Sequence, residues 1–146
     1  MNKSLFYAFL ALFNVCLAQN SDKIQIYITN DYATAVTASY LDASNKKIET
    51  RIIPGDSLLQ TITLDRFLPM RPLFLELNGK AYQVKFSHIK DNTYKVEVWD
   101  AVKAAQEITL QNKTHSTKFN LTQIVDIHIK SNGVLFLSVK GKKKLL

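Results

Sequence analysis

Apolar and polar residues alternate with a period of two along most of this chain, from residue 23 onward. In the segment KIQIYIT, for example, Ile24, Ile26 and Ile28 fall on one face. Such alternation in β-branched and aromatic residues is typical of strands that bury one face. Turn-forming residues separate these segments at 42–45, 54–56, 78–79, 90–92 and 131–133. The pattern predicts a sheet protein of short strands and tight turns.

The turns also predict how neighbouring strands pair, because a shift of one residue would turn the apolar side chains to the wrong face. A two-residue turn at positions 78–79 (Asn-Gly) places Leu75 opposite Tyr82. A three-residue loop at 90–92 then places Lys85 opposite Glu97, a favourable pair of opposite charges. Residues 73–99 are therefore predicted to form a three-stranded meander.

The last hairpin is predicted to use a longer loop than its Asn-Gly dipeptide suggests. A two-residue turn at 132–133 would place His128 opposite Leu137 and mix polar with apolar faces. A three-residue loop at 131–133, with Gly133 in the left-handed conformation, instead places Ile127 opposite Leu137. Val125 then faces Val139, so the apolar faces agree throughout.

The segment DAVKAAQE at 100–107 is rich in alanine, and Asp100 could cap a helix there. It predicts one short connecting helix. About ten short strands with one small helix indicate an all-β fold, an immunoglobulin-like β-sandwich. Residues 28–57 are similar to the opening of many exported immunoglobulin-like modules in their order of strand, loop, hairpin and Pro-Gly turn. This resemblance implies a fold and assigns no functional residue.

The first eighteen residues have the layout of a secretory signal: an early lysine, an apolar stretch and a small-residue end. Cleavage after Ala18 is predicted, which would remove Cys16, the one cysteine of the chain. The alternatives are a lipoprotein that begins at Cys16 and an uncleaved anchor. The predicted organisation is a signal peptide at 1–18, a single sandwich domain at 19–141 and a basic tail at 142–146. The protein is expected to be exported, to a periplasm or outside the cell.

A mature chain without cysteine excludes disulfides, thiolate zinc sites and a cysteine nucleophile. The sequence also contains no nucleophile-elbow motif and no glycine-rich phosphate loop. No cofactor is therefore predicted. The formal net charge of +7 points to an anionic partner, such as an envelope component, a polysaccharide or a protein, and the alternative is a lysine-rich composition with no partner. Nucleic acid is not expected, because no aromatic-basic motif supports it.

Asp126 and His128 are candidate binding residues, because positions i and i+2 of a strand point to the same side. Together they could supply two ligands of a metal site, with further ligands from His88 or His115. The alternative is an exposed polar strand face on which Phe136 covers His128.

Trp99 is predicted to lie opposite Gln83 on the outer face of the meander. It could anchor a carbohydrate or a protein there, or the helix at 100–107 could cover it. Two sequons begin at Asn112 and Asn120, and the sequence leaves open whether they are used.

The C-terminal segment KGKKKLL contains the densest cluster of charge in the chain. Its lysines could dock to an anionic surface, or they could belong to a solvated chain end; they are Lys140, Lys142, Lys143 and Lys144.

The function predicted from the sequence is an exported, non-enzymatic binding module. One alternative is a subunit of a secreted or surface assembly, joined by strand addition at a sheet edge. A second alternative is a hydrolase whose site is assembled from distant strands.

Overall fold

The structure is a computed structural model that describes residues 21–42, 44–66, 73–104 and 107–141. These residues form strands and their turns, and the predicted signal peptide and the tail at 142–146 lie outside them. The strands are β1 (Ser21–Asn30), β2 (Val36–Leu41), β3 (Lys47–Ile52), β4 (Ser57–Asp65), β5 (Leu73–Leu77), β6 (Lys80–Lys90), β7 (Thr93–Ala104), β8 (Glu107–Asn120), β9 (Gln123–Ile129) and β10 (Leu135–Gly141).

The strands form two sheets, which agrees with the predicted all-β sandwich. The four-stranded sheet has the order β10-β9-β1-β4, and the six-stranded sheet has the order β3-β2-β5-β6-β7-β8. Neighbouring strands in the described sheets are antiparallel except β1 and β9, which pair in parallel. The first strand is therefore held between β4 and a strand from near the end of the chain. Local turn signals cannot predict such long-range pairing.

The core lies between the two sheets and is built from the alternating residues. Ile26, Ile28 and Ile127 of the four-stranded sheet are fully buried, as are Leu75 and Val84 of the six-stranded sheet. Each such aliphatic side chain contributes about 1.5–3 kcal/mol when it is removed from water. The period-two pattern thus reports directly which face of each strand packs inward.

The predicted meander is confirmed, with one correction in its second turn. Leu75 pairs with Tyr82 and Lys85 with Glu97, as the register requires. The second hairpin, however, closes with a two-residue turn, because Lys90 pairs with Thr93. A bulge between His88 and Lys90 takes up the extra residue. The predicted loop length was wrong, yet the apolar register is preserved because the bulge absorbs the difference.

The last hairpin has the predicted three-residue loop. Ile129 pairs with Leu135 and Ile127 with Leu137. The Lys130 amide donates a hydrogen bond of 2.9 Å to the carbonyl of Val134, which closes the loop. Gly133 has a φ of 81°, the left-handed conformation that this loop demands.

The predicted helix at 100–107 is wrong. Residues 100–104 continue β7, residue 107 begins β8, and residues 105–106 lie outside the described part of the chain. Ala101 pairs with Ala81 on one side and with Leu110 on the other, and it is 7% exposed. The helix propensity of alanine is worth less than one kcal/mol per residue over most other residues, so pairing on both sides and burial outweigh it.

The described residues at the far end of the β7–β8 hairpin, 101–104 and 107–110, lie across the outer face of their own sheet, and we call them the arm. Ile108 of the arm lines the same small cavity as Ser39 and Leu41 of β2, although three strands separate β8 from β2 in the sheet. The register of β8 against β7 shifts twice, on either side of Trp99. Bulges bend a strand and increase its twist, which accounts for the direction of the arm.

Candidate functional site

Asp126 and His128 lie side by side on the outer face of β9, as the sequence predicts, but each contacts a different partner. The ammonium of Lys140 lies 2.9 Å from the carboxylate of Asp126, and the Ser138 hydroxyl lies 3.3 Å from it. His128 Nε2 contacts the carboxylate of Asp31. Among the described residues, no group of three or more histidine, cysteine or acidic side chains could hold a metal ion. Asp126 and His128 thus make two separate side-chain contacts and do not share a partner.

Phe136 pairs with His128 across β10 and β9. Its ring is 51% exposed, and the ammonium of Lys130 lies 5.2 Å from the ring centroid. The centroid of His115 from the six-stranded sheet lies 6.3 Å away. Phe136 therefore lies where β10 approaches β8 and the two sheets meet.

Trp99 faces outward opposite Gln83, as the register predicts. The predicted helical cover does not form. The ring is partly buried, and the ammonium of Lys85 lies 5.5 Å from its centroid, within the range of a cation–π contact. The indole Nε1 is buried and has no hydrogen-bond partner among the described residues. Lys85, which sequence reasoning paired with Glu97, thus interacts with the tryptophan instead.

Four lysines surround Glu97 and Trp99 on the outer face of β6, β7 and β8, and we call them the lysine patch: Lys85, Lys95, Lys113 and Lys118. Their placement follows from alternation, because Tyr94, Val96 and Val98 point into the core and the residues between them must point outward.

The lysine patch is only partly neutralised. Glu97 Oε2 forms ion pairs with Lys95 Nζ at 3.8 Å and with Lys113 Nζ at 3.4 Å. Lys118 has no ion-pair partner within the described part of the chain, and it pairs directly with Lys95 across β7 and β8. Like charges placed directly opposite one another destabilise a sheet. The fold tolerates four cations around one anion, a local excess of three positive charges on an exposed sheet face.

Of the four C-terminal lysines named as candidates, one lies among the described residues. Lys140 is bound to Asp126, on the four-stranded sheet, and does not belong to the lysine patch. Lys142, Lys143 and Lys144 lie outside the described residues. Sequence reasoning missed Lys95. Strand parity places this residue on the outer face of β7, but its position opposite Lys118 follows from the pairing of β7 with β8, which the sequence did not predict.

A buried polar cluster joins the two sheets at one end of the core. Arg66 binds Asp22 in a bidentate manner, with Nε–Oδ2 at 2.7 Å and Nη2–Oδ1 at 3.1 Å. The Tyr94 hydroxyl, from the opposite sheet, donates to Asp22 Oδ2 at 2.5 Å. His88 packs edge-on against the Tyr94 ring and contacts the carbonyl of Asp91 at 2.7 Å.

Burial alone would raise the pKa of Asp22, but the hydrogen bonds from Arg66 and Tyr94 and the guanidinium charge outweigh it, so the pKa is lowered. Burial and the hydrogen bond to Asp22 raise the pKa of the Tyr94 hydroxyl. The cluster is therefore an ionised carboxylate with satisfied partners, which is what a buried charge requires.

Asn30 closes the other end of β1. Its Nδ2 donates to the carbonyls of Thr34 at 3.0 Å and Ile52 at 2.9 Å, and its Oδ1 accepts the amide of Tyr32 at 2.9 Å. It is fully buried. Asp22 and Asn30 thus hold both ends of the sandwich, and their role is structural.

Two of the concave regions beside the arm differ in character. One, of about 430 Å³, lies between the β5–β6 turn and the arm, where Glu76 and Lys80 approach Ala101 and Val102. The other, of about 160 Å³, is mainly apolar and is lined by Phe74, Leu41 and Ile108. Neither coincides with the lysine patch.

No family model, no curated protein and no solved structure matches this chain. No helix in the described residues is long and apolar enough to cross a membrane.

Proposed function

We propose that this protein is an exported, non-enzymatic module that binds an anionic polysaccharide through the lysine patch. The observation that supports this most strongly is the direct pairing of Lys95 with Lys118, an arrangement that costs stability and concentrates positive charge on an exposed face. Export rests on the signal-like layout of residues 1–18.

The geometry of a sheet suits an extended polyanion. Neighbouring strands are about 4.8 Å apart, and outward residues repeat about every 6.6 Å along a strand. The amines of the lysine patch therefore form a two-dimensional array that can follow a linear chain of carboxylates or sulfates. Trp99, partly exposed at one side of this array, offers a ring face for a sugar.

The immunoglobulin-like type of the sandwich is a further part of this proposal. It is supported by the resemblance of residues 28–57 and by the two-sheet, mainly antiparallel architecture. In such modules a sheet face or a group of loops carries binding, and the fold itself specifies no ligand.

The test is a binding measurement with two double variants of equal charge. Lys95→Gln with Lys118→Gln removes two cations from the patch, and Lys23→Gln with Lys46→Gln removes two exposed cations elsewhere. Binding to polygalacturonate is measured at two salt concentrations by titration calorimetry. Each lysine near an anionic surface contributes about 1 kcal/mol, so the patch variant should bind about tenfold more weakly or worse.

The control variant should retain most of its affinity, and the affinity of the unchanged protein should fall with added salt. Equal losses in both variants would show that net charge alone drives binding. Loss only after truncation behind Gly141 would assign binding to the tail instead. Preference for phosphatidylglycerol vesicles over the polysaccharide would identify a lipid surface as the target.

A further inference from the structure

The four edge strands of the two described sheets differ in how they are protected from pairing with other strands. Edges are commonly protected by charged side chains, by bulges or by a neighbouring element. β8 carries Lys113 and Lys118, and its register is broken by two shifts. β3 presents Lys47, Glu49 and Arg51 on its exposed face. β10 approaches β8 where the two sheets meet, and it bears Lys140.

Within the part of the chain that the structure describes, β4 has none of these features. It is nine residues long, and its sequence SLLQTITLD carries no charge before the final Asp65. It pairs with β1 at every position from Ser57 to Asp65 without a bulge. No described residue pairs with its other side, since β4 ends the order of its sheet. Its exposed face includes Leu59, which is 52% exposed, followed by Thr61 and Thr63.

We propose that β4 is a docking edge for a second copy of this chain, which pairs antiparallel to it across a two-fold axis. The distribution of charge favours this edge over the other edges for a second copy, and the sequence of β4 argues for that occupant. The chain carries a net charge of +7, so most of its surfaces repel a second copy. Two β8 edges would bring lysines together, whereas two β4 edges would not.

The sequence of β4 also suits pairing with itself. An axis at its midpoint, Thr61, places Thr61 opposite its own copy and Leu59 opposite the second copy's Thr63. Pairs of threonines and of β-branched with apolar residues stabilise antiparallel strands. A two-fold contact is self-complementary and closes after two copies. In the resulting dimer the two four-stranded sheets form one continuous eight-stranded sheet. The two lysine patches lie on the six-stranded sheets of the two copies. This inference does not depend on the ligand of those patches.

The experiment is sedimentation equilibrium of the purified protein and of charge variants over a wide range of concentrations. We expect the unchanged protein to dimerise with a Kd on the order of 10–100 μM, as is usual for a small interface. Thr61→Lys should weaken dimerisation about tenfold or more, because like charges would then face each other across the axis. Thr109→Lys, which adds the same charge to the exposed edge strand β8, is the matched control and should leave the Kd unchanged.

The decisive measurement uses a mixture of the Thr61→Lys and Thr61→Glu variants. Opposite charges then face each other, so the mixture should dimerise more strongly than either variant alone. Hydrogen exchange should show protection of β4 amides that rises with concentration. A protein that stays monomeric at all concentrations overturns the inference, and so does equal weakening by Thr61→Lys and Thr109→Lys. A circular dichroism spectrum like that of the unchanged protein ensures that each variant is folded.

Discussion

At the scale of single residues, polar side chains on the inner face of β1 determine how the two sheets are held together. Strand parity places Asp22 and Asn30 on the same side as Ile24, Ile26 and Ile28, so the sequence did contain a signal that both would be buried. The partners could not be predicted, because Tyr94 and Arg66 reach Asp22 from 72 and 44 residues away. A buried carboxylate needs hydrogen-bond donors placed around it, and a local sequence pattern does not show which distant residues supply them.

Removing the Tyr94 hydroxyl should destabilise the protein without creating a cavity. Tyr94→Phe deletes the donor to Asp22 and keeps the ring against Phe119. Hydrogen bonds to charged groups contribute about 1.5–3 kcal/mol, so the free energy of unfolding in urea should fall by about that amount. Tyr27→Phe, on the outer face of β1, is the control and should change it by less than about 0.5 kcal/mol. Equal effects of the two variants would contradict the role given to Asp22.

The same cluster should make stability sensitive to acid. Folding lowers the pKa of Asp22, so its ionised form contributes stability above the unfolded value, about 3.9, and this contribution is lost as pH falls through the lower folded pKa. Between about pH 5 and pH 2, Asp22→Asn should therefore lose less stability than the unchanged protein does. Urea unfolding at several pH values tests this. Parallel curves for the two proteins would show that Asp22 is not the group involved.

At the scale of strands and turns, the strand register was predicted correctly where two neighbouring segments had to agree, although the loop at 90–92 is one residue shorter than predicted. Prediction failed where one segment was considered alone. The hairpin at residues 125–139 was predicted correctly because only one loop length kept Ile127 and Leu137 on the same face. The helix at 100–107 was inferred from its alanine content and a possible cap at Asp100, and pairing with Ala81 and Leu110 outweighed these weak local preferences. The pairing of β1 with β9 inside the four-stranded sheet is likewise invisible in the sequence, because it joins segments about a hundred residues apart.

The glycines of two turns should respond differently to the same substitution. Gly133→Ala and Gly55→Ala both place a side chain at a positive φ, which costs about 1–2 kcal/mol. At Gly133 the new Cβ would also lie 3.1 Å from Tyr32 Cε1, whereas nothing lies within 4 Å at Gly55. Chemical denaturation should show a larger loss for Gly133→Ala. An equal loss at both sites would mean that the Tyr32 ring moves aside freely.

At the scale of the whole molecule, the two sheets are connected through their shared core and through contacts that cross it. The Tyr82 hydroxyl donates to the Gly133 carbonyl of the opposite sheet at 3.1 Å, at the end of the core away from Asp22 and Tyr94. Aliphatic side chains from both sheets form one continuous cluster between these points. Neither sheet can expose its inner face without exposing that of the other, so the described strands should unfold as one cooperative unit.

Trp99, the sole tryptophan, belongs to the six-stranded sheet and reports on it by fluorescence, while far-ultraviolet circular dichroism reports on both sheets. Ile127→Ala removes a fully buried side chain from the four-stranded sheet and should cost about 2–5 kcal/mol. If unfolding is cooperative, this variant shifts the fluorescence transition of Trp99 to lower denaturant by the same amount as the dichroism transition. Ile108→Ala, in the arm, removes a side chain that is 46% exposed and should shift both transitions only slightly. A dichroism transition that moves while the Trp99 transition stays in place would show that the sheets unfold separately, because a shared core must transmit the loss from one sheet to the other.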